Sequence, residues 1–364
     1  MNKAVISARC ASAILAFSVI LSLVGCAESD RAQTTVPRGA ALLKGAGATF
    51  PSELYKKLFE VYQQNHPETV IRYEPVGSGE GIRRFVGGNI KPEERVDFGA
   101  SDAAMTDEEI NRVPGGVVLV PVTAGSVVLA YNLPDVAADL RLSREAYSGI
   151  FLGDIKNWND PRIATANPGL KLPKLTIATV VRQDASGTNF AFTKHLDAIS
   201  EKWRSRYGAA MLVDWPAEAM RGKGNEGVAT LIQNSVGSIG YVGYEFARKL
   251  GLRTAILENR EGHFIRPTGE SAAAALASAE LPRNLRLFVP DPVGPQSYPI
   301  ATFSWVLLYQ NYGDPAKAKA IRSTFEWCLD EGQKYSPQFG YVPLPAAVVD
   351  KARAALAGVA PPQS

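Results

Sequence analysis

Residues 181–190, VRQDASGTNF, gather a guanidinium (Arg182), a carboxylate (Asp184), two hydroxyls (Ser186, Thr188) and a glycine (Gly187) into one short turn. The preceding TIATVVR reads as a strand that delivers Arg182 at its end, and SGTNFAFTKHL reads as a helix whose first turn exposes Ser186, Gly187 and Thr188. A helix N-terminus offers unpaired N–H groups and about half a positive charge, which suits an anion. Arg182 and Asp184 are either a surface ion pair worth roughly 0–1 kcal/mol or a device in which the carboxylate takes one edge of the guanidinium. In the second case the fork is fixed for a bidentate grip on an oxyanion.

Three further junctions carry related chemistry. GAGATFPSEL (45–54) has a loosened turn, Thr49 placed to cap, and Pro51 and Ser52 opening a helix, with the amide of Phe50 just ahead of it. PVGSGEGIRRF (75–85) ends a strand in a glycine-rich turn with Ser78 at its apex; alone it fits simple capping as well as anion binding. RVDFGASDAAM (95–105) runs a strand-like segment into Asp102, a carboxylate out of place in a site made only to attract negative charge. Either Asp102 caps the helix in MTDEEINRV, or it accepts a hydrogen bond from a ligand oxygen that carries a proton. Phosphate near neutral pH keeps at least one proton; sulfate keeps none.

The elements that must hold these turns alternate along the chain. VIRYEPV (70–76), GVVLVPV (116–122), SVVLAYNL (126–133), KLTIATVVR (174–182), GSIGYVG (237–243) and TFSWVLLY (302–309) are rich in β-branched and aromatic residues and predict strands. Between them SELYKKLFEVYQQN (52–65) predicts a helix with Leu54, Leu58 and Val61 on one face and Tyr55, Phe59 and Tyr62 beside it. Such alternation argues for α/β lobes with largely parallel sheets, in which ligands sit beyond the carboxyl ends of strands. About 339 residues past the leader exceed one modest core, so two lobes are expected.

The first 25 residues read as a secretory signal peptide: Lys3 and Arg9 without acids, then an apolar stretch too short to span a membrane. Its ending, LVGC, resembles the lipobox of bacterial lipoproteins, which makes Cys26 the acylated first residue of the mature chain. AESDRAQTTVPRGA after it is polar and aperiodic, a flexible tether through residue 40. The formal charge of +3 includes Lys3 and Arg9, so the mature chain is left near +1. That offers no general field for nucleic acid or anionic lipid, and any bound anion must be held by local geometry. Cys10 leaves with the leader, and Cys328, in STFEWCLDEG, reads as an inert core thiol. His66, His195 and His263 are scattered, so neither a metal site nor a cofactor is expected.

GAGATFPSELY, VGSGEGIRRF, VDFGASD and RQDASGTNF resemble the ligand-binding segments of the phosphate-binding protein of the high-affinity bacterial phosphate ABC transporter, the PstS family. GDIKNWNDPRI (153–163), NPGLKLP (167–173), GKGNEGVATLIQ (222–233), GSIGYV (237–242) and YVPLP (341–345) match in order, so the resemblance runs from about Gly45 to about Arg353. It implies that Thr49, Phe50, Ser78, Asp102, Arg182, Ser186, Gly187 and Thr188 bind phosphate, with Asp102 accepting the ligand proton, Arg182 as the cation and Asp184 orienting it. Gly79 departs from the family, which often has serine there.

The resemblance further implies an α/β, two-lobed periplasmic-binding-protein fold, each hinged lobe a mostly parallel sheet flanked by helices. The first lobe spans 41–122 and 299–358, the second spans 123–298, and a disordered tail takes 359–364. The implied partners are inorganic phosphate, the permease subunits of an ABC transporter and, through the lipid, a membrane at the periplasmic or outer face; the chain is expected to be a monomer. Two other readings compete. Ser186 with Asp184 and His195 invites a phosphate-ester hydrolase, but DASGT is not the nucleophile elbow of such enzymes. A binding protein for sulfate or molybdate lacks a use for Asp102.

Overall fold

The structure, a computed structural model, describes residues 36–277 and 279–360. The expected signal peptide, the acylated Cys26, most of the tether and the last four residues lie outside the described residues. In chain order the strands are β1 (Ala41–Gly47), β2 (Thr69–Glu74), β3 (Phe98–Ser101), β4 (Val117–Tyr131), β5 (Arg141–Leu142) and β6 (Ala178–Arg182). There follow β7 (Met220–Gly222), β8 (Ser238–Gly243), β9 (Arg253–Thr254), β10 (Ile256–Glu258), β11 (Phe264–Ile265) and β12 (Ala301–Tyr309).

The main sheet runs β2-β1-β3-β12-β4-β8-β6-β7, with β9 on the flank of β4. At one end β2, β1 and β3 are parallel, and at the other β8, β6 and β7 are parallel. Between them β12 is antiparallel to both its neighbours, and β4 is antiparallel to β8. Each parallel set aims its carboxyl ends, and hence its strand-to-helix turns, at the middle of the molecule.

The strands expected at 116–122 and 126–133 are one continuous strand, β4, which spans the PVTAG segment instead of ending at it. Its first part pairs with β12 as far as Ser126, and from Val127 it pairs with β8. Pro121, with no N–H to give a ladder, sits opposite Trp305 where the register with β12 shifts by one residue between Ser304 and Trp305. A bulge of this kind is where a proline fits inside a sheet.

Helix Ser52–Asn65 forms where the sequence placed it, burying Leu54, Tyr55, Leu58, Phe59 and Tyr62, while Val61 stays partly exposed. The apolar stripe is therefore centred on the aromatic residues, which meet Tyr73, Phe98 and Phe325 edge-on. Cys328 is fully buried in helix Pro315–Leu329, and burial pushes its thiol pKa up. Val359 is buried and Ala360 bridges to Asn311, so ordered packing reaches into the segment expected as a tail. Among the described residues no helix is long and apolar enough to cross a membrane.

Candidate functional site

Strand β6 ends on Arg182, whose side chain is 1% exposed. Its Nε donates to Asp184 Oδ1 at 2.9 Å and its Nη2 to Oδ2, so one edge of the guanidinium is held as a fork. Asp184 Oδ1 also accepts from the Gly224 N–H at 2.9 Å. Burial works against ionisation of Asp184, yet the hydrogen bonds and charge of Arg182, with the Gly224 amide, win and hold its carboxyl below the usual range. Nη1 of Arg182 is buried and has no hydrogen-bond partner in the protein. A buried guanidinium nitrogen without an acceptor is costly. In the chain Arg182 lies five residues before the start of helix Gly187–Ile199.

Helix Gly187–Ile199 begins just beyond Asp184, with Ser186 as its N-cap. The Ser186 hydroxyl accepts from the Asn189 N–H at 3.1 Å, its carbonyl takes the Phe190 N–H, and its own N–H goes to Met211. Of the four orphan amides that open a helix, those of Gly187 and Thr188 are left for what lies ahead, together with the Ser186 hydroxyl proton. Gly187 is needed for fit: a Cβ there would lie 2.6 Å from the Asp102 Cβ and 2.7 Å from the Ser78 hydroxyl.

The other wall comes from β1, β2 and β3. Ser78 opens helix Ser78–Val86, and its Oγ accepts from the Asp102 N–H at 3.2 Å. Thr49 does not cap the helix after it, as its spacing suggested, because Pro51 stands at that N-cap without a side-chain bond. The Thr49 carbonyl is held instead by the Ser52 N–H (3.2 Å) and Oγ (2.8 Å). In a trans peptide this turns the Phe50 N–H away from its own helix. The Phe50 ring packs edge-on to Tyr341 at 5.5 Å, and the Tyr341 hydroxyl donates to the Phe50 carbonyl.

Asp102 is not a helix cap either: Thr106 and Glu109 form a reciprocal capping box for helix Asp107–Asn111. The Asp102 carboxylate, 1% exposed, accepts from the Ser304 hydroxyl at 2.7 Å and faces the Thr188 hydroxyl at 3.4 Å. Burial pushes its pKa up to about 7 against the pull of Ser304, Arg182 and Thr188. Near neutrality it can thus meet a ligand as either acceptor or donor.

Two residues of this cluster escaped the sequence reading. Asn225, second residue of helix Gly224–Asn234, donates to Thr49 and Thr188 and accepts from the Gly243 N–H. The glycine-rich turn before it, GKGNEG, is the same signal as at the other junctions. Ser304 is a buried hydroxyl in an otherwise apolar strand, two residues from Thr302 on the same face. His195, by contrast, lies in the core: Nδ1–H donates to the Pro290 carbonyl at 2.6 Å and Nε2 faces the Tyr147 hydroxyl at 2.8 Å. Burial lowers its pKa to about 4. With both nitrogens engaged it is no base for Ser186.

The fold and the site together define a two-lobed binding protein, with donors from two parallel strand sets converging between them. The sequence profile of the PBP superfamily domain matches residues 29–325. The chain is 37% identical over 318 residues, 86% of its length and 90% of the relative's, to the phosphate-binding protein PstS of Pasteurella multocida. It is 36% identical to PstS of Haemophilus influenzae, covering 84% of this chain and 90% of that one. A crystal structure of the phosphate-binding protein of Stenotrophomonas maltophilia shares the fold at a TM-score of 0.70 and 20% identity, over 86% of this chain and 94% of that one. A high-affinity periplasmic phosphate-binding protein bound with phosphate does so at a TM-score of 0.70 and 22% identity, over 86% and 93%. The chain belongs to the PstS family of phosphate-binding proteins.

Proposed function

We propose that this chain captures inorganic phosphate between its lobes and delivers it to the permease of an ABC transporter, as a solute-binding protein and not an enzyme. The observation that carries this reading is the unpartnered Nη1 of Arg182, buried beside Asp102 and the first turn of helix Gly187–Ile199. Arg182 supplies the cation, and Asp184 holds it in place. Thr49, Ser78, Ser186 and Thr188 offer hydroxyls, and Phe50, Gly187 and Thr188 offer amides. Asp102 accepts the proton that phosphate carries and sulfate lacks. A dense set of short donors around one carboxylate fits a small protonated oxyanion and argues against a bulky ester.

The continuity of β4 supports a lobe crossing inside that strand, between the part paired with β12 and the part paired with β8. The LVGC sequence supports attachment of the mature protein through acylated Cys26 to a membrane, facing the periplasm or cell exterior. Calorimetric titration of the purified mature protein tests the central reading. Phosphate should bind one to one, and sulfate should give no heat at comparable concentration. Tight sulfate binding, or silence with phosphate, would refute it.

A further inference from the structure

One contact between the two lobes is made by backbone and a single methyl group. Gly79, the second residue of helix Ser78–Val86, donates its N–H to the Ala185 carbonyl at 3.0 Å. A Cβ on Gly79 would lie 2.5 Å from the Ala185 Cβ, and its next two neighbours, at 3.2 and 3.5 Å, are also atoms of Ala185. The turn before repeats the pattern, since a Cβ on Gly77 would come within 2.4 Å of Asp184 Oδ2. Neither partner is free to retreat: Asp184 is locked to Arg182, and Ala185 leads directly into Ser186, whose N–H is tied to Met211.

We infer that Gly79 and Ala185 are a matched pair of positioning residues that sets how tightly phosphate is held. The missing side chain at 79 makes room for the Ala185 methyl, so the hydroxyl of Ser78 and the amides of Gly187 and Thr188 can reach one ligand together. The inference rests on the reading that phosphate is captured between lobes that part and close.

Gly79→Ala should therefore act with opposite signs on two measurements. Alanine is the better helix former, and all three closest neighbours of the new methyl lie in the other lobe, so the ligand-free protein should keep or gain Tm. The Kd for inorganic phosphate should rise about tenfold or more, as expected for an overpacked contact. Added to Ala185→Gly, in which the opposing methyl is gone, Gly79→Ala should change the Kd by no more than about threefold. Calorimetry and thermal unfolding of the four proteins decide it. A Gly79→Ala Kd matching that of a wild type that does bind phosphate overturns the pairing alone, as does an equal rise in Kd when Gly79→Ala is added to Ala185→Gly. A wild type that does not bind phosphate overturns the functional reading as well.

Discussion

Asn225 reaches Thr49 twice, through its backbone N–H at 3.2 Å and its Nδ2 at 2.9 Å, and the same Nδ2 lies 3.1 Å from the Thr188 hydroxyl. Because an amide nitrogen only donates, both threonine oxygens must accept, which leaves their protons for other acceptors, that of Thr188 for Asp102. One residue therefore sets the polarity of two hydroxyls in opposite walls of the cleft.

Asn225→Ala should weaken phosphate binding by about 1–3 kcal/mol, the cost of leaving such groups unmatched. Asn225→Asp should do worse near neutral pH, since a carboxylate would draw both hydroxyl protons to itself and set a negative charge near the anion. Titration calorimetry of the two variants gives the comparison. An aspartate variant that binds as well as the alanine variant would mean that hydroxyl polarity is not what Asn225 controls.

Arg182→Ala should cost more than removal of any single hydroxyl, because charge-assisted bonds are worth about 1.5–3 kcal/mol each and Nη1 has no other partner. Lysine should recover part of the loss, as it carries the charge without the planar fork. Asp184→Asn should fall between, releasing one edge of the guanidinium while leaving its charge. The dissociation constants for phosphate rank the three. A ranking with Asp184→Asn the most damaging would move the weight from the cation to its support.

The turns were legible in the sequence because each repeats one physical signal, a strand running into glycine and a hydroxyl at a helix start. Arg182, Ser78 and Ser186 stand where that signal put them. The role of Asp102 was open between cap and acceptor until Thr106 proved to be the cap. Thr49 misled for a related reason: short hydroxyl residues before a helix usually serve it, whereas Pro51 holds the N-cap position and Thr49 meets Asn225, far away in the chain. The join of two expected strands into β4 was hidden by the short break at Thr123–Gly125, where Gly125 punctuates the sequence but here pairs in regular register with Thr302. Ser304 was illegible because its partner, Asp102, is 202 residues away in the chain.

Asp102 also makes stability depend on pH. Burial raises its pKa to about 7 in the fold, against about 3.9 in an unfolded chain. Across that window the folded state keeps a proton that the unfolded state has lost, so stability falls as pH rises through it. Asp102→Asn has no such proton, so its stability relative to wild type should climb by a few kcal/mol between about pH 4 and pH 7 and then level off. His195, with its pKa lowered to about 4, contributes an opposite slope, but it does so in both proteins and cancels. Thermal unfolding without phosphate over this range checks the difference; a constant gap would mean that Asp102 ionises as an ordinary carboxyl.

The same substitution tests selectivity. Sulfate bound beside an ionised Asp102 would set oxygen lone pairs against carboxylate lone pairs with no proton between them, at a cost of at least about 1–3 kcal/mol. Phosphate avoids this by donating. The amide introduced by Asp102→Asn would keep an oxygen for the Ser304 hydroxyl, now 2.7 Å from Asp102 Oδ1, and could turn an N–H toward the ligand. Sulfate binding should therefore improve relative to phosphate in Asp102→Asn, with the remaining donors in place. The quantity to measure is the ratio of the two dissociation constants in mutant and wild type, at one pH and ionic strength. An unchanged ratio would show that Asp102 does not read the ligand's proton, and discrimination would then rest with the donors around Arg182.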